Sequence, residues 1–413
     1  MPSRYLSFRC SVPWLILFLE TLFLICFFFF LPDVYNIYSA SASYSYREFQ
    51  DVHHMLIFGF GFFLIVLRRY GFSSAGFNFL LIVLGLQCSV LVENLLIFLQ
   101  VQHEGEGGVE SLTKAVVSVA AVAISTGAVL GKANPVQLIV MSLVELIVFS
   151  ASRWINKTFL QVPERLSLMH VHLFGAYFGV AVTSRFPEPP PGLDKNRSTP
   201  KSDLFSMLGT VFVWVFWPSF NSILSYTKMK AALNTYFALA VSAVAAFMLS
   251  ALTSKDGKFR MTHIHSAVLA GGVTISYKAG TIQYPWIAMI LGLLGSVITI
   301  LGSHCLQRCF NPAFKLQDTS GVHFTFGLPA VLGAVAAVVI SVVEQRMEWN
   351  DLSSLGYLIF VDVGAFCQTI STALITGLVT GLILNIKLLK TTHVSKYFDD
   401  QFYWEFPHLS VGF

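Results

Sequence analysis

Four carboxylates and two histidine pairs stand inside long apolar runs, where an ionisable side chain is rare and marks either function or a bond between helices. The acids are Glu20, Glu93, Glu145 and Asp362. A carboxyl in such a place is held protonated or hydrogen-bonded to a neighbouring helix, and that joining role is the reading the residues favour. Glu93 lies nearest the end of its run and is expected to reach the interface. The histidines form two H-x-H pairs, His170/His172 and His263/His265. Residues two apart on a helix point to different sides, so neither pair suits chelation of one metal ion. A neutral imidazole at His172, early in its run, can take a proton or hydrogen-bond a small polar solute. The alternative is a satisfied buried histidine. Gly131-Lys132 is followed by Ala133, so there is no phosphate-binding P-loop, and no HExxH or GxSxG occurs. No enzyme chemistry, metal or cofactor is implied.

These residues need a membrane-spanning scaffold. Of the 413 residues 55% are hydrophobic and only 12% charged, against about 25% charged in ordinary soluble domains. The mean hydropathy is +0.69. A soluble enzyme, a disordered regulator and a disulfide-stapled secreted module are excluded. The net charge of +4 is too weak to suggest nucleic acid as a partner. Six cysteines show no paired spacing, so no disulfide framework is expected. A helix crosses the bilayer core with about 20 apolar residues. Twelve such runs are present, at 12–31, 52–67, 76–99, 112–131, 136–152, 168–184, 204–222, 231–252, 262–276, 285–303, 323–343 and 356–386. Backbone groups cannot stay unpaired in lipid, so the runs predict an all-α membrane protein of about 12 transmembrane helices. The last run is long enough to tilt or to extend beyond the bilayer.

Seventeen of the 26 Lys and Arg fall on the side that carries both termini, so both termini are expected in the cytosol. The first run reads as a retained span rather than a signal peptide, being too long for one and separated by Pro32-Asp33 from the small-residue site at 40–42. Residues 186–203, FPEPPPGLDKNRSTPKSD, form a polar, Pro-rich linker with six runs on each side. A membrane domain over 1–390 and a tail over 391–413 follow.

Several long motifs are distinctive. GFGFFLIVLRRYGFSSAGFNFLLIV at 59–83, GAVLGK at 127–132, HLFGAYFG at 172–179, SDLFSMLGTVFVWVFWPSFNS at 202–222 and HSAVLAGGV at 265–273 resemble the ammonium transporter/Rh family. The C-terminal KYFDDQFYWEFPHLSVGF at 396–413 is similar to the blood-group branch of the Rh proteins. The resemblance implies a bundle of two inverted five-helix repeats plus an extra N-terminal helix, assembled as a trimer with one narrow pore per protomer. It implies a multi-pass protein of the plasma membrane, in the blood-group branch that of the erythrocyte. In the family's mechanism ammonium sheds a proton at an outer vestibule and the neutral species passes, avoiding the several kcal/mol that desolvating an ion costs. Stacked Phe rings gate the entrance and two facing imidazoles line the middle.

Carried over by position, His172 matches the first pore histidine and Phe220, in WPSFNS, one gating Phe. Glu164 falls where the family has an outer-vestibule Asp, and Asp318, in QDTSG, matches an acid of the cytosolic side. Two matches fail. The second pore histidine falls in VHFTFGLPA, where Phe326 stands; His323, three residues earlier, substitutes only if the register shifts. The other gating Phe precedes GAVLGK, where Thr126 stands. A Phe ring offers neither acceptor nor proton path, so a polar solute leaves hydrogen bonds unmade at roughly 1–3 kcal/mol per group. The pore is expected to be blocked or slowed.

Two functional readings stay open. One is an accessory subunit that joins an Rh glycoprotein or further copies of itself in a trimer. Its aromatic tail would contact ankyrin and the membrane skeleton, or would pack on its own bundle. The other is a working ammonia channel rearranged around His172 and Phe220. Cys10, Cys305 and Cys309 sit at the cytosolic edge as lipidation candidates, and Asn156-Lys157-Thr158 is a glycosylation candidate on the outer side.

Overall fold

The computed structural model describes residues 11–30, 46–99, 108–189, 194–303, 318–348, 352–389 and 391–405. Among them every regular element is helical. The elements are α1 (Val12–Phe30), α2 (Tyr46–His54), a π-helical segment π1 (Met55–Phe60), α3 (Gly61–Phe63), α4 (Gly71–Leu99), α5 (Gly108–Val129) and α6 (Pro135–Phe159). Then come α7 (Glu164–Leu168), α8 (Val171–Thr183), α9 (Pro200–Ser222), α10 (Lys228–Thr253), α11 (Met261–Ile275), α12 (Pro285–Leu301), a second π segment π2 (His323–Gly327), α13 (Leu328–Glu348) and α14 (Leu352–Leu384).

Each of the twelve apolar runs overlaps helix over its described residues, although the second, 52–67, ends in a turn after Phe63. Nine helical stretches among the described residues, counting α7–α8 and π2–α13 each as one, are long and apolar enough to cross a bilayer. The other three runs are the π-interrupted α2–α3 and the shorter α11 and α12. Local sequence sets several starts. Asn134 caps α6 in a reciprocal box with Gln137, followed by Pro135. Thr199 caps α9 with Ser202 and Pro200 in the same way. These side chains satisfy amides that a helix start leaves orphaned.

α5 and α8 are buried along almost their whole length, and α11 likewise, so they form the centre. α1 lies at the edge: Leu19 and Phe23 pack inward, while Trp14, Phe18, Leu24, Phe28 and Phe29 face outward. Close approach is bought with glycine: a Cβ on Gly175 would meet the Ala121 backbone, and one on Gly209 would meet the backbone of Phe62 and Phe63.

The two π segments widen one turn each and free carbonyls from the usual i→i+4 ladder. Neighbouring helices fill the gap. Asn78 Nδ2 donates to Leu56 O at 3.0 Å and Thr299 Oγ1 donates to Phe324 O at 3.0 Å. These bonds let Phe60 and Phe326 turn inward from broken helices.

Residues 391–405 fold back onto the bundle. Phe398 N donates to Gly131 O at 2.9 Å and Asp400 N to Arg69 O at 2.8 Å. Asp400 accepts from Phe72 N (2.9 Å) and Ser73 N (2.8 Å), capping α4 from 327 residues away in sequence. Asp399 pairs with Lys195 at 2.9 Å. Gly131, at φ +78°, makes the turn on which the Phe398 ring rests. The turns 64–70 and 130–134 and the linker therefore share one face, the tail-bearing face. The turns 160–170, 223–227 and 276–284 lie on the far face. Of the two tail readings, the structure takes the self-packed one for Tyr397 and Phe398, which are 1% and 0% exposed.

Candidate functional site: an aromatic column above a blind cavity

At the centre, α8, α9, π1, α3, π2 and α11 each contribute one or two rings. His172 from α8 lies parallel to Trp217 at 5.5 Å between centroids and edge-on to Phe220 at 5.4 Å, both from α9. Phe326 from π2 lies parallel to His172 at 6.5 Å, tilted by 10°. Phe326 in turn meets Trp217 (6.3 Å), Phe60 (5.8 Å) and Phe63 (6.1 Å). Phe63 stacks on His265 from α11 at 3.8 Å. Every ring in this column is at most 4% exposed. Offset and edge contacts at these spacings are favourable by about 0.5–1.5 kcal/mol per pair beyond area burial.

The expected residues fall into place unevenly. His172, Phe220 and Phe326 meet. His323 does not reach His172; its ring rests on Tyr177 and Phe324, and the π2 register leaves Phe326 facing inward. His172 Nδ1 has no hydrogen-bond partner. Thr126 does not face Phe220. Gly175 of α8 lies against Ala121 of α5, and Gly179 against Ser125 and Ala128. At 1.5 Å per residue, Thr126 therefore sits about 12 Å below the level of His172, toward the tail-bearing face. The α5 positions level with His172 are near Val117 and Ser118. Thr126 Oγ1 simply donates to Val122 O at 2.6 Å.

Glu164 lies on the far face, at the start of α7, and its charge is already answered. Lys114 Nζ, on a side chain only 4% exposed, is 3.2 Å from one carboxylate oxygen, and Lys157 Nζ is 3.4 Å from the other. Beside them Glu93, expected at the interface, is instead buried in an ion pair with Arg153. The remaining acids join helices as expected. Glu20 accepts from Gln87 at 3.1 Å, Glu145 from Ser125, and Asp362 from Tyr277 at 3.3 Å. Of the H-x-H pair, His170 leaves the column: its Nδ1 meets Thr369 Oγ1 at 2.9 Å and its ring packs on Phe366 and Tyr277.

Below His265 a cavity of about 470 Å³ opens toward the tail-bearing face, lined by Asp203, Arg260, Asp318, His323 and several hydroxyls. Asp318 Oδ2 accepts from His323 N at 2.7 Å, capping the start of π2. Burial raises the Asp318 carboxyl above its ordinary range, against hydrogen bonds from the backbone and the opposing pull of Lys132. Asn156, the glycosylation candidate, is 1% exposed within α6, and its amide nitrogen bonds Ser167 and Thr369 hydroxyls at 3.4 and 3.2 Å. A buried, engaged amide is not an acceptor for a glycan in this fold. Cys10, Cys305 and Cys309 lie outside the described residues.

Sequence reasoning missed His265, Trp217, Phe60, Phe63 and Lys114. His265 was visible within an H-x-H pair and a quoted motif, but nothing local said that it underlies Phe63.

A profile of the Ammonium Transporter Family matches residues 14–400. The chain belongs to the ammonium transporter family. Among its relatives, an RH-like protein of Macaca mulatta is 42% identical over 427 residues, with both chains fully covered. The blood group Rh(CE) polypeptide of Homo sapiens is 39% identical over 428 residues, again with both fully covered. Among solved structures, Rh50 of Nitrosomonas europaea matches with a TM-score of 0.73 and 28% identity, covering 88% of this chain and 93% of that one. A Mep2 structure from Candida albicans has the same fold at a TM-score of 0.65 and 14% identity, covering 85% and 88%. The chain is thus a multi-pass membrane protein of Rh type, built on the ammonium-transporter bundle.

Proposed function

We propose that this chain is a subunit of an Rh-type complex whose own conduit is closed. The complex serves ammonium, ammonia or carbon dioxide passage in the plasma membrane, and the tail-bearing face is cytosolic. The observation that carries the closed conduit is Phe326 lying parallel to His172, where an acceptor would be needed to hand a polar solute onward. A solute passing His172 would leave at least one hydrogen bond unmade, and 1.4 kcal/mol is about tenfold in rate. The Lys114–Glu164 pair supports the same reading, since the acid that would recruit a cation already holds an ammonium group of the chain itself.

Assembly is proposed as a trimer with an Rh glycoprotein or with further copies of this chain. Contact with ankyrin or the membrane skeleton would use tail surface other than Tyr397 and Phe398, which the bundle already buries. Lipidation at Cys10, Cys305 and Cys309 is proposed to anchor the same face, and a triple Ser variant that loses labelled palmitate supports it.

A second reading, a working ammonia channel using His172 and Phe220, is favoured by the unpartnered His172 Nδ1. It also has the likeness to Rh50, described within a Rhesus family of channels. One experiment separates the two. The purified chain is reconstituted in liposomes and internal pH is followed after an ammonium jump. A trace matching protein-free liposomes is expected. Fast alkalinisation that disappears in His172→Ala overturns the closed-conduit reading.

A further inference from the structure

A second cavity, of about 380 Å³, opens on the far face, to the side of the column. Four segments build it: the stretch 160–166, the turn after α11, the C-terminal half of α13 and the first turns of α14. Tyr357 and Asp362 lie at the start of the apolar stretch 356–384, and Ser341 lies near the end of the stretch 323–343. The cavity therefore sits where apolar helix surface gives way to water. Beside it Val339 and Val343 of α13 and Phe360 and Val363 of α14 are exposed. In a bilayer such side chains meet acyl chains, which are as apolar as they are.

The floor is polar and charged. Asp362 Oδ1 accepts from Tyr277 OH at 3.3 Å, and the Ser341 hydroxyl bonds the same carboxylate. All three side chains are buried. The acid thus lends the cavity a negative charge while two of its hydrogen bonds are already met. Lys278 lines the same space, and its charge bears on Asp362. Two opposite charges facing one cavity fit a zwitterion better than a simple cation or anion.

The walls narrow the class. Leu160, Val162, Leu166, Leu358 and Val361 make much of the lining apolar, and the exposed Tyr357 adds a ring. A quaternary ammonium carries its charge under methyl groups and brings no N–H to satisfy, and aromatic faces and carboxylates attract it. The mouth is fixed by Gln161 at φ +57°, a left-handed conformation that residues other than glycine rarely adopt. Backbone strain of this kind clusters at binding sites.

We propose that this cavity holds the headgroup of a phosphatidylcholine from the leaflet on the far face. The choline lies over Asp362 against the apolar wall and Tyr357, the phosphate lies toward Lys278, and the acyl chains run down the exposed faces of α13 and α14. The site is separate from the aromatic column and does not depend on whether the conduit is open or closed.

The test is native mass spectrometry of the full chain in a non-ionic detergent. The chain is titrated with phosphatidylcholine, phosphatidylethanolamine and phosphatidylglycerol of the same acyl chains. Phosphatidylcholine is expected to bind its first copy at least about fivefold tighter than either other lipid, since only its headgroup joins a positive charge to a methyl surface. Asp362→Asn keeps an acceptor for Tyr277 and removes the charge. It should weaken phosphatidylcholine about tenfold and leave phosphatidylglycerol unchanged, a split that a general loss of fold would not produce. Because the three-lipid comparison uses the unmodified chain, it stands even where the variant does not fold. Equal affinity for phosphatidylcholine and phosphatidylethanolamine, or unchanged phosphatidylcholine binding in folded Asp362→Asn, would overturn the proposal. Free phosphocholine at equal concentration should leave the lipid in place. Displacement by it would make the occupant a soluble ligand and overturn the assignment to a lipid.

Discussion

Removing the Asp400 carboxylate should release the tail by a measurable amount. Its two oxygens accept the Phe72 and Ser73 amides at 2.9 and 2.8 Å, at the first turn of α4. Loss of a helix N-cap costs about 0.5–2 kcal/mol. The upper end applies here, because the acceptor is charged and the helix dipole adds about 0.3–1 kcal/mol. The same residue also closes the Phe398–Gly131 and Asp400–Arg69 backbone bonds into one unit with the Trp404 indole, which donates to Ser73 Oγ at 3.0 Å. With about 2 kcal/mol lost, the opening equilibrium of the tail rises about 30-fold. Hydrogen exchange of the Phe398 and Asp400 amides in nanodiscs reads that equilibrium. Asp400→Ala should speed both by about 30-fold. Asp399→Asn, which removes only the pair with Lys195 at one-quarter exposure of the lysine, should change them by less than about fivefold. Exchange in Asp400→Ala within twofold of the parent refutes the latch. It would mean that Tyr397 and Phe398 hold the tail without the cap.

Four further outcomes are expected. Glu93→Gln alone should destabilise the fold by about 3–5 kcal/mol, since it strands the buried Arg153 charge. Glu93→Leu with Arg153→Met together should cost far less in the same thermal unfolding assay. Gly209→Ala should lower stability by about 1–3 kcal/mol, because the new Cβ meets backbone of Phe62 and Phe63 that cannot yield; a melting temperature equal to the parent's would contradict the packing. Lys132, in the turn between α5 and α6, has its amine pulled down to about 8 by burial, against the pull of Asp318 and Glu188. Its folded value lies below the unfolded one near 10.5, so the penalty is full below pH 8. Stability should rise by up to about 3 kcal/mol between pH 8 and 10.5, and Lys132→Met should flatten that rise in a pH series of unfolding midpoints. Lys114→Met should leave Glu164 with Lys157 alone and let the far face accumulate cations. An unchanged ammonium affinity by nitrogen NMR would show that Lys114 is not the occupant.

The sequence by itself determined the class of the fold and the positions of its apolar helical runs, because hydropathy is a local property and a lone segment in lipid satisfies its own backbone only as a helix. It also named His172, Phe220 and Phe326, which the column does bring together. The tertiary structure decided which polar groups meet. Thr126 was matched by its distance from GAVLGK, yet its height is set by how α5 lies on α8, and Gly175 and Gly179 fix that crossing. Asn156 reads as a glycan acceptor in a tripeptide, but burial depends on α14 carrying Thr369 to it. Lys114 and Glu164 are fifty residues apart in the chain, and Asp400 caps a helix that starts at Gly71. His265 Nδ1 meets the Ser206 and Thr210 hydroxyls only because another helix, α9, carries them to it. Such pairings depend on crossing angles and registers between distant segments, and no window of sequence contains them.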